Sequence, residues 1–287
     1  MSISSFLTKK FLKSLFFPAH NRGKALPKDL IRLLKKQPGI WDLPELPEIG
    51  SPLSRSGLIH DAQISFAKKL NTKKCFFGVN GASGLIQSGI IAMANPGEYL
   101  LMPRNVHNSV IKACALQNII PIFFDIEFSI ETGHYMPISK NWFMSVFNNL
   151  DLEKKKIVGV ILVSPYYQGY ATNLEPLIKI CHQHNLPVLV DEAHGSYFLF
   201  CENSNLPKSA LRANADLVIH SLHKSLNGLT QTAVIWHNGN LIEENNLIKS
   251  INLLQTTSPS SLLLSSCEES IKAVSYTHLT LPTKVTV

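Results

Sequence analysis

A chain of 287 residues has room for one large domain or two modest ones. Its composition, 45% hydrophobic and 16% charged, excludes disorder, collagen and a coiled coil. No apolar run approaches the ~18–20 residues that span a bilayer, so a soluble protein is expected. The formal charge of +7 comes from short scattered groups such as Lys9-Lys10, Lys35-Lys36, Lys73-Lys74 and Lys154 to Lys156. They lack interleaved aromatics or a recognisable binding module, so they read as solvated faces and not as a nucleic-acid surface. The five cysteines (Cys75, Cys114, Cys181, Cys201, Cys267) are odd in number and irregularly spaced, which speaks against a disulfide framework and for a reducing cytoplasm.

In chain order, Leu7, Phe11 and Leu15, with Leu12 and Phe16 beside them, share one helical face between lysines. This predicts an amphipathic helix packed on the body or on a partner subunit. It lacks the apolar stretch and small-residue cleavage site of a secretory signal. Residues 1–60 read as this helix plus an irregular Pro/Gly/Leu-rich arm, interrupted by a short helix near Leu26–Lys35. A helix is predicted over Asp61–Leu70 and a strand over Cys75–Val79. Further strands are predicted at Tyr99–Met102, Ile119–Phe124, Ile157–Val163, Pro187–Val190, Leu217–His220 and Ala233–Trp236. Helices fill the gaps at Ser83–Ala94, Asn108–Gln117, Ser139–Leu150 and Asn173–His184, and another follows from Leu241. Short, almost wholly apolar strands alternating with helices predict a mostly parallel, doubly wound α/β sheet covered on both faces. Ligands in such folds sit beyond the carboxyl ends of the strands. From Val274 to Val287 the rhythm breaks, and the stretch resembles a translated sequencing-adapter tail, so the native part is expected to stop near Ala273.

Three segments put reactive groups at expected strand ends. Asn80-Gly81-Ala82-Ser83-Gly84 joins a strand to a helix, where small residues and unpaired N–H groups suit a phosphate, although such a turn is commonly just a turn. Val188-Leu189-Val190-Asp191-Glu192-Ala193-His194-Gly195 sets a carboxylate at the mouth of the sheet; an Asp capping the next turn is the plain alternative. Asp216 to Ser225 carries Lys224 just past a buried strand, where burial makes an amine nucleophilic; an exposed loop lysine is the plain alternative. Phosphate cradle, acid and lysine in that chain order are the parts pyridoxal phosphate requires: an amine for its aldehyde, a helix N-terminus for its phosphate, and an acid for its ring nitrogen.

With these motifs the chain resembles the ornithine/lysine/arginine decarboxylase family, which has the aspartate-aminotransferase-like fold of pyridoxal-phosphate enzymes. The resemblance covers roughly residues 15–273. It rests on Pro18-Ala19-His20-Asn21-Arg22-Gly23, Gly81-Ala82-Ser83, Arg104-Asn105-Val106-His107-Asn108-Ser109 and Pro165-Tyr166-Tyr167-Gln168-Gly169. It continues through Asp191-Glu192-Ala193-His194-Gly195, Ser221-Leu222-His223-Lys224 and Thr257-Ser258-Pro259-Ser260. The resemblance implies that Lys224 bonds to the cofactor aldehyde and later moves protons at the substrate α-carbon, and that Asp191 pairs with the ring nitrogen. It implies that His107 stacks on one ring face with Ala193 on the other. Ala82, Ser83, Ser221 and His223 are implied to hold the phosphate, with Gly81 also among the cofactor-binding residues and His194 near the ring. His20 and Arg22 are expected in the active-site wall. Tyr166 stands where the family usually has threonine, which removes any contact that threonine makes.

The implied reaction is decarboxylation of a basic amino acid in polyamine-type metabolism, by a cytoplasmic homodimer or higher homo-oligomer. An aminotransferase or α-oxoamine synthase of the same fold, or an inactive cofactor-binding fragment, is the alternative. Family members continue into a C-terminal small domain, which this chain is expected to lack. Asp42, Glu45 and Glu48 are candidates to receive the substrate's distal cation. Cys181-His182-Gln183-His184 has no second ligand group at suitable spacing, so a helix end is expected there and no metal site.

Overall fold

The computed structural model describes residues 7, 17–37, 39–150, 156–201 and 206–280. The N-terminal amphipathic helix expected around Leu7 to Phe16 lies outside these residues, Leu7 excepted, as does the tail from residue 281.

The arm carries α1 (Lys28–Leu34), and α2 (Leu58–Lys69) leads into the body. Then follow β1 (Lys74–Gly78), α3 (Gly81–Met93), β2 (Tyr99–Pro103), α4 (Asn108–Gln117) and β3 (Ile120–Phe124). A small hairpin of β4 (Phe128–Ser129) and β5 (His134–Tyr135) precedes α5 (Lys140–Asn148), β6 (Ile157–Val163), α6 (Leu174–Gln183) and β7 (Val188–Asp191). A 3-10 turn (Ser196–Phe200) is followed by β8 (Leu217–Ser221), the single-turn α7 (Leu222–Ser225), β9 (Ala233–His237), α8 (Glu244–Leu254) and α9 (Ser261–Thr280).

The main sheet has seven strands in the order β1-β9-β8-β7-β6-β2-β3. From β8 to β3 every pairing is parallel. β9 runs antiparallel to both β8 and β1, and is the one reversed strand of this sheet. Helices α3, α4 and α8 cover one face, where Leu85, Ile90, Val110 and Leu247 pack with Leu100, Leu189, Leu217 and Ile235. On the other face, α2, α5, α6 and α9 bring Phe66, Phe143, Leu177 and Ile271 against Val160, Val188, Val190 and Val218. Successive strand residues point to opposite faces, and both are buried, which is why the strands read as unbroken apolar runs. Val188, Leu189 and Val190 are each 0% exposed, and each such side chain contributes roughly 1.5–3 kcal/mol.

Local chemistry sets the element ends. The Ser139 hydroxyl accepts the Trp142 N–H and starts α5. Asn118 ends α4 in the left-handed conformation. Gly89 lets α3 lie close to the sheet: a Cβ there would meet Leu189 Cδ1 at 2.6 Å. The last helix continues past the change of pattern at Val274, and Val274 packs on the core.

Candidate active site

A cavity of about 300 Å³ opens at the carboxyl ends of β7 and β8. The ends of β6, β7 and β8 and the segments after β1, β2, β6, β7 and β8 line it. All ten cofactor-site residues expected from sequence line this one cavity: Gly81, Ala82, Ser83, His107, Asp191, Ala193, His194, Ser221, His223 and Lys224.

The cradle is the first turn of α3. Gly81 has φ +72°, a left-handed value that glycine adopts without strain, and a Cβ there would meet open space. Its N–H bonds to the Gln231 carbonyl at 2.9 Å, tying the cradle to the β9 entry. Unpaired N–H groups and the positive helix end favour an anion at this point. Ser221 and His223 line the same cavity. The Ser221 hydroxyl lies 3.1 Å from His223 Nδ1, which also faces the Thr232 carbonyl at 3.4 Å. Burial lowers the His223 pKa, the Thr232 carbonyl opposes this, and the charges of Lys224 and His20 lower it further.

His107 caps α4: its Nδ1 accepts the Ser109 N–H at 3.2 Å and lies 2.8 Å from the Ser109 hydroxyl. An accepting Nδ1 leaves the ring proton on Nε2. Asp191 ends β7 buried at the cavity floor, with Oδ1 accepting the Ala193 N–H at 3.1 Å. Burial raises its pKa, opposed by that N–H and by the charges of Lys224, His107 and His220.

Lys224 sits in α7, one turn beyond β8. Burial lowers its pKa and the Asp191 charge opposes this. Its Nζ lies 2.9 Å from Nε2 of His194. The His194 pKa falls to about 4, through burial first and then through the charges of Lys224, His107 and His223. The imidazole is therefore neutral at pH 7 and its Nε2 accepts from the lysine ammonium. Two aromatic edges flank it, Phe17 at 6.0 Å and Tyr167 at 5.6 Å between ring centroids.

Other expectations land elsewhere. His20 does not line the cavity: its Nδ1 accepts the Gly23 N–H at 2.9 Å, and the Ala19 N–H holds the segment to the His223 carbonyl at 2.8 Å. Arg22 is exposed and donates to the Leu7 carbonyl. Asp42, Glu45 and Glu48 are exposed on the arm and none lines the cavity; Glu45 borders a separate groove of about 460 Å³, together with Thr257 and Pro259. Tyr166 turns into the core, 2% exposed and 3.5 Å from the Thr172 hydroxyl. His182 bonds to the buried Asp216 at 2.9 Å, and Asp216 also takes the Val188 N–H at 2.8 Å. The cavity wall further includes Asn105, Val163 and Pro165, which sequence reasoning did not single out as site residues. It also missed a buried group behind the wall, Glu192, His220 and Trp236. Asn105 lies two residues before His107 in the Arg104–Ser109 motif, which is the signal that marks it; the partners of Glu192 come from segments distant in sequence.

Fold and site together define a fold-type I pyridoxal-phosphate architecture. Among solved structures, lysine decarboxylase LdcF of Francisella novicida superposes with TM-score 0.70 at 21% identity, over 92% of this chain and 38% of that one. Serine palmitoyltransferase of Sphingomonas wittichii superposes with TM-score 0.63 at 20% identity, over 87% and 58%. In sequence, the major domain of the Orn/Lys/Arg decarboxylases matches residues 13–280. Arginine decarboxylase of Bacillus subtilis is 30% identical over 251 residues, which is 88% of this chain and 50% of the relative. That of Halalkalibacterium halodurans is 35% identical over 218 residues, 75% of this chain and 43% of the relative. The chain belongs to the Orn/Lys/Arg decarboxylase family. It spans about half the length of the curated relatives it matches.

Proposed function

We propose that this chain is the cofactor-binding part of a pyridoxal-phosphate-dependent decarboxylase, a lyase that converts arginine, lysine or ornithine to its amine. The observation that carries the proposal is the convergence in one cavity of a helix N-terminus, a buried carboxylate and a half-buried lysine, in a chain of this family. Residues 61–273 are read as the cofactor domain and residues 1–60 as its arm.

The residues present fit the group. The α3 cradle with Ser221 and His223 suits a phosphate, Asp191 a protonated ring nitrogen, and Lys224 an aldehyde, while His107 and Ala193 line the same cavity as walls for a flat ring. When bound, the cofactor supplies an aldehyde that condenses with amines and a protonated ring that accepts the electron pair left when the carboxylate departs as carbon dioxide.

The chain's own residues do the rest. Asp191, already bonded to the Ala193 N–H, keeps a negative charge where the ring nitrogen carries its proton. Neutral His194 orients the Lys224 ammonium. Lys224, with its pKa lowered by burial, gives up a proton more readily than a surface lysine and returns one at the substrate α-carbon. Phe17 and Tyr167 set ring edges against His194 and help fix its orientation.

The same reading assigns the protein to the cytoplasm, to polyamine-type metabolism and to a homodimer or higher homo-oligomer. It is supported by free cysteines at all five positions and by exposed apolar residues of the arm such as Ile40, Leu43 and Leu46. The test is to supply the protein with pyridoxal phosphate and arginine, lysine or ornithine, and to measure carbon dioxide and amine. Equimolar release from one of them supports the proposal. An oxo acid without carbon dioxide indicates an aminotransferase and refutes it.

A further inference from the structure

Directly behind the cavity wall lies a chain of polar side chains that does not reach into the cavity. Glu192 follows Asp191, His220 precedes Ser221, and Trp236 lies on β9; Glu192 and His220 are 0% exposed and Trp236 is 1%. Oε1 of Glu192 accepts the Ala210 N–H at 2.8 Å, and Oε2 lies 2.7 Å from Nε2 of His220. Nδ1 of His220 accepts the indole N–H of Trp236 at 2.9 Å.

Hydrogen-bond chemistry allows this chain one protonation pattern. An indole N–H can only donate, so Nδ1 of His220 carries no proton. The ring proton is then on Nε2 and donates to Glu192. Both oxygens of Glu192 thus face donors, so the side chain is a carboxylate. Burial pushes its pKa up, and the hydrogen bond from His220 is the main force holding it down.

The chain also fastens the segments that carry the site. The Glu192 N–H bonds to the Ile219 carbonyl at 3.1 Å, across the pairing of Asp191 with Ile219. Its side chain packs against Gly195, where a Cβ would meet Glu192 Cγ at 2.8 Å and, from the cavity wall, Pro165 Cδ at 2.6 Å.

We infer that Glu192 is a positioning residue: through His220 and Trp236 it locks one tautomer and so holds the strand ends bearing Asp191 and Lys224 at their working separation. What that separation serves rests on the cofactor reading above; the hydrogen-bond pattern does not.

The substitution Glu192→Gln tests the lock. Glutamine accepts the Ala210 N–H only by turning its amide toward His220, which then moves its proton to Nδ1 and opposes the indole N–H. Adding Trp236→Phe removes that opposition. The expected result is that E192Q binds pyridoxal phosphate ~10-fold more weakly than wild type, the scale on which hydrogen-bonded supporting residues act. The absorbance of the bound ring and its pH dependence are expected to change as well, and E192Q/W236F to recover most of both. A merely structural role predicts additive losses and no recovery.

In the cofactor-free wild type, nitrogen-15 chemical shifts of His220 should show the proton on Nε2 and none on Nδ1. A proton on Nδ1, wild-type loading by E192Q, or a double variant weaker than E192Q overturns the inference. If E192Q does not fold, the double variant carries the test, since the lock predicts that it folds and loads; its failure is also an overturning result. A wild type with the expected tautomer that does not take up pyridoxal phosphate refutes the functional reading instead.

Discussion

Replacing His194 by glutamine removes one titrating group from the cavity and keeps an acceptor for Lys224, so it isolates what protonation of His194 does. In the folded protein its pKa is about 4, because the ring is buried and shares its surroundings with Lys224, His107 and His223. In the unfolded chain the value returns to about 6.5. Below that value the unfolded chain takes up a proton that the folded site refuses. His194 therefore contributes stability that is fully present above pH ~6.5 and is lost as the pH falls through about 4. A displacement of this size corresponds to at most ~3 kcal/mol. The half-buried ring sees some solvent, which brings the expected effect to on the order of 1–2 kcal/mol. Urea unfolding at pH 7 and pH 4 measures it. Wild type should lose ~1–2 kcal/mol more than H194Q between the two, a difference of about 0.5–1 M in midpoint. Groups remote from the cavity are common to both proteins and cancel in the comparison. Parallel losses in the two proteins would refute the burial and charge argument for His194.

Binding of an anion in the α3 cradle should draw a proton onto His223, whose pKa burial lowers in the free protein. Calorimetry of pyridoxal phosphate binding in buffers of different ionisation heat should show net proton uptake near neutral pH, lost in His223→Gln. Asp191→Asn keeps an acceptor for the Ala193 N–H but removes the charge that raises the Lys224 pKa. Amine release should fall at least ~100-fold, on the scale of other lost charge-stabilising groups, with little change in thermal midpoint. Gly195→Ala places a Cβ 2.6 Å from Pro165 Cδ at an ordinary φ, whereas Gly81→Ala meets no atom but holds φ at +72°. Both should destabilise in a urea titration, the first by about 1–3 kcal/mol through overpacking and the second by about 1–2 kcal/mol through backbone strain.

Most of the fold was legible because parallel strands covered on both faces leave an apolar run wherever they occur. Ile157–Val163 and Asn108–Gln117 have the expected boundaries, and Ser139 and Asn173 prove to be the caps of the helices predicted to begin on them. The reversed direction of β9 was not legible: Ala233–His237 is buried along its whole length, so its pattern is the same whichever way the strand runs. The two-residue strands β4 and β5 are too short to establish an alternation. The residues that line the cavity were legible because they lie on or shortly after strand ends: Asp191 and Ser221 close β7 and β8, and Gly81, His107 and Lys224 come a few residues past β1, β2 and β8. Tyr166, where the resemblance leads one to expect threonine, is buried beside Thr172, so this side chain belongs to the core and does not line the cavity. Glu192 stands next to Asp191 in sequence, but its hydrogen-bond chain runs through His220 and Trp236, which only the sheet brings together.

The central claim, that Lys224 is the amine that takes the aldehyde of pyridoxal phosphate, is tested most directly by borohydride trapping. The protein is incubated with pyridoxal phosphate, reduced, digested and examined by mass spectrometry. The account predicts one phosphopyridoxyl group per chain on the peptide containing Lys224, absent in Lys224→Ala. A label on other lysines at the same yield, or one that persists in Lys224→Ala, would contradict it.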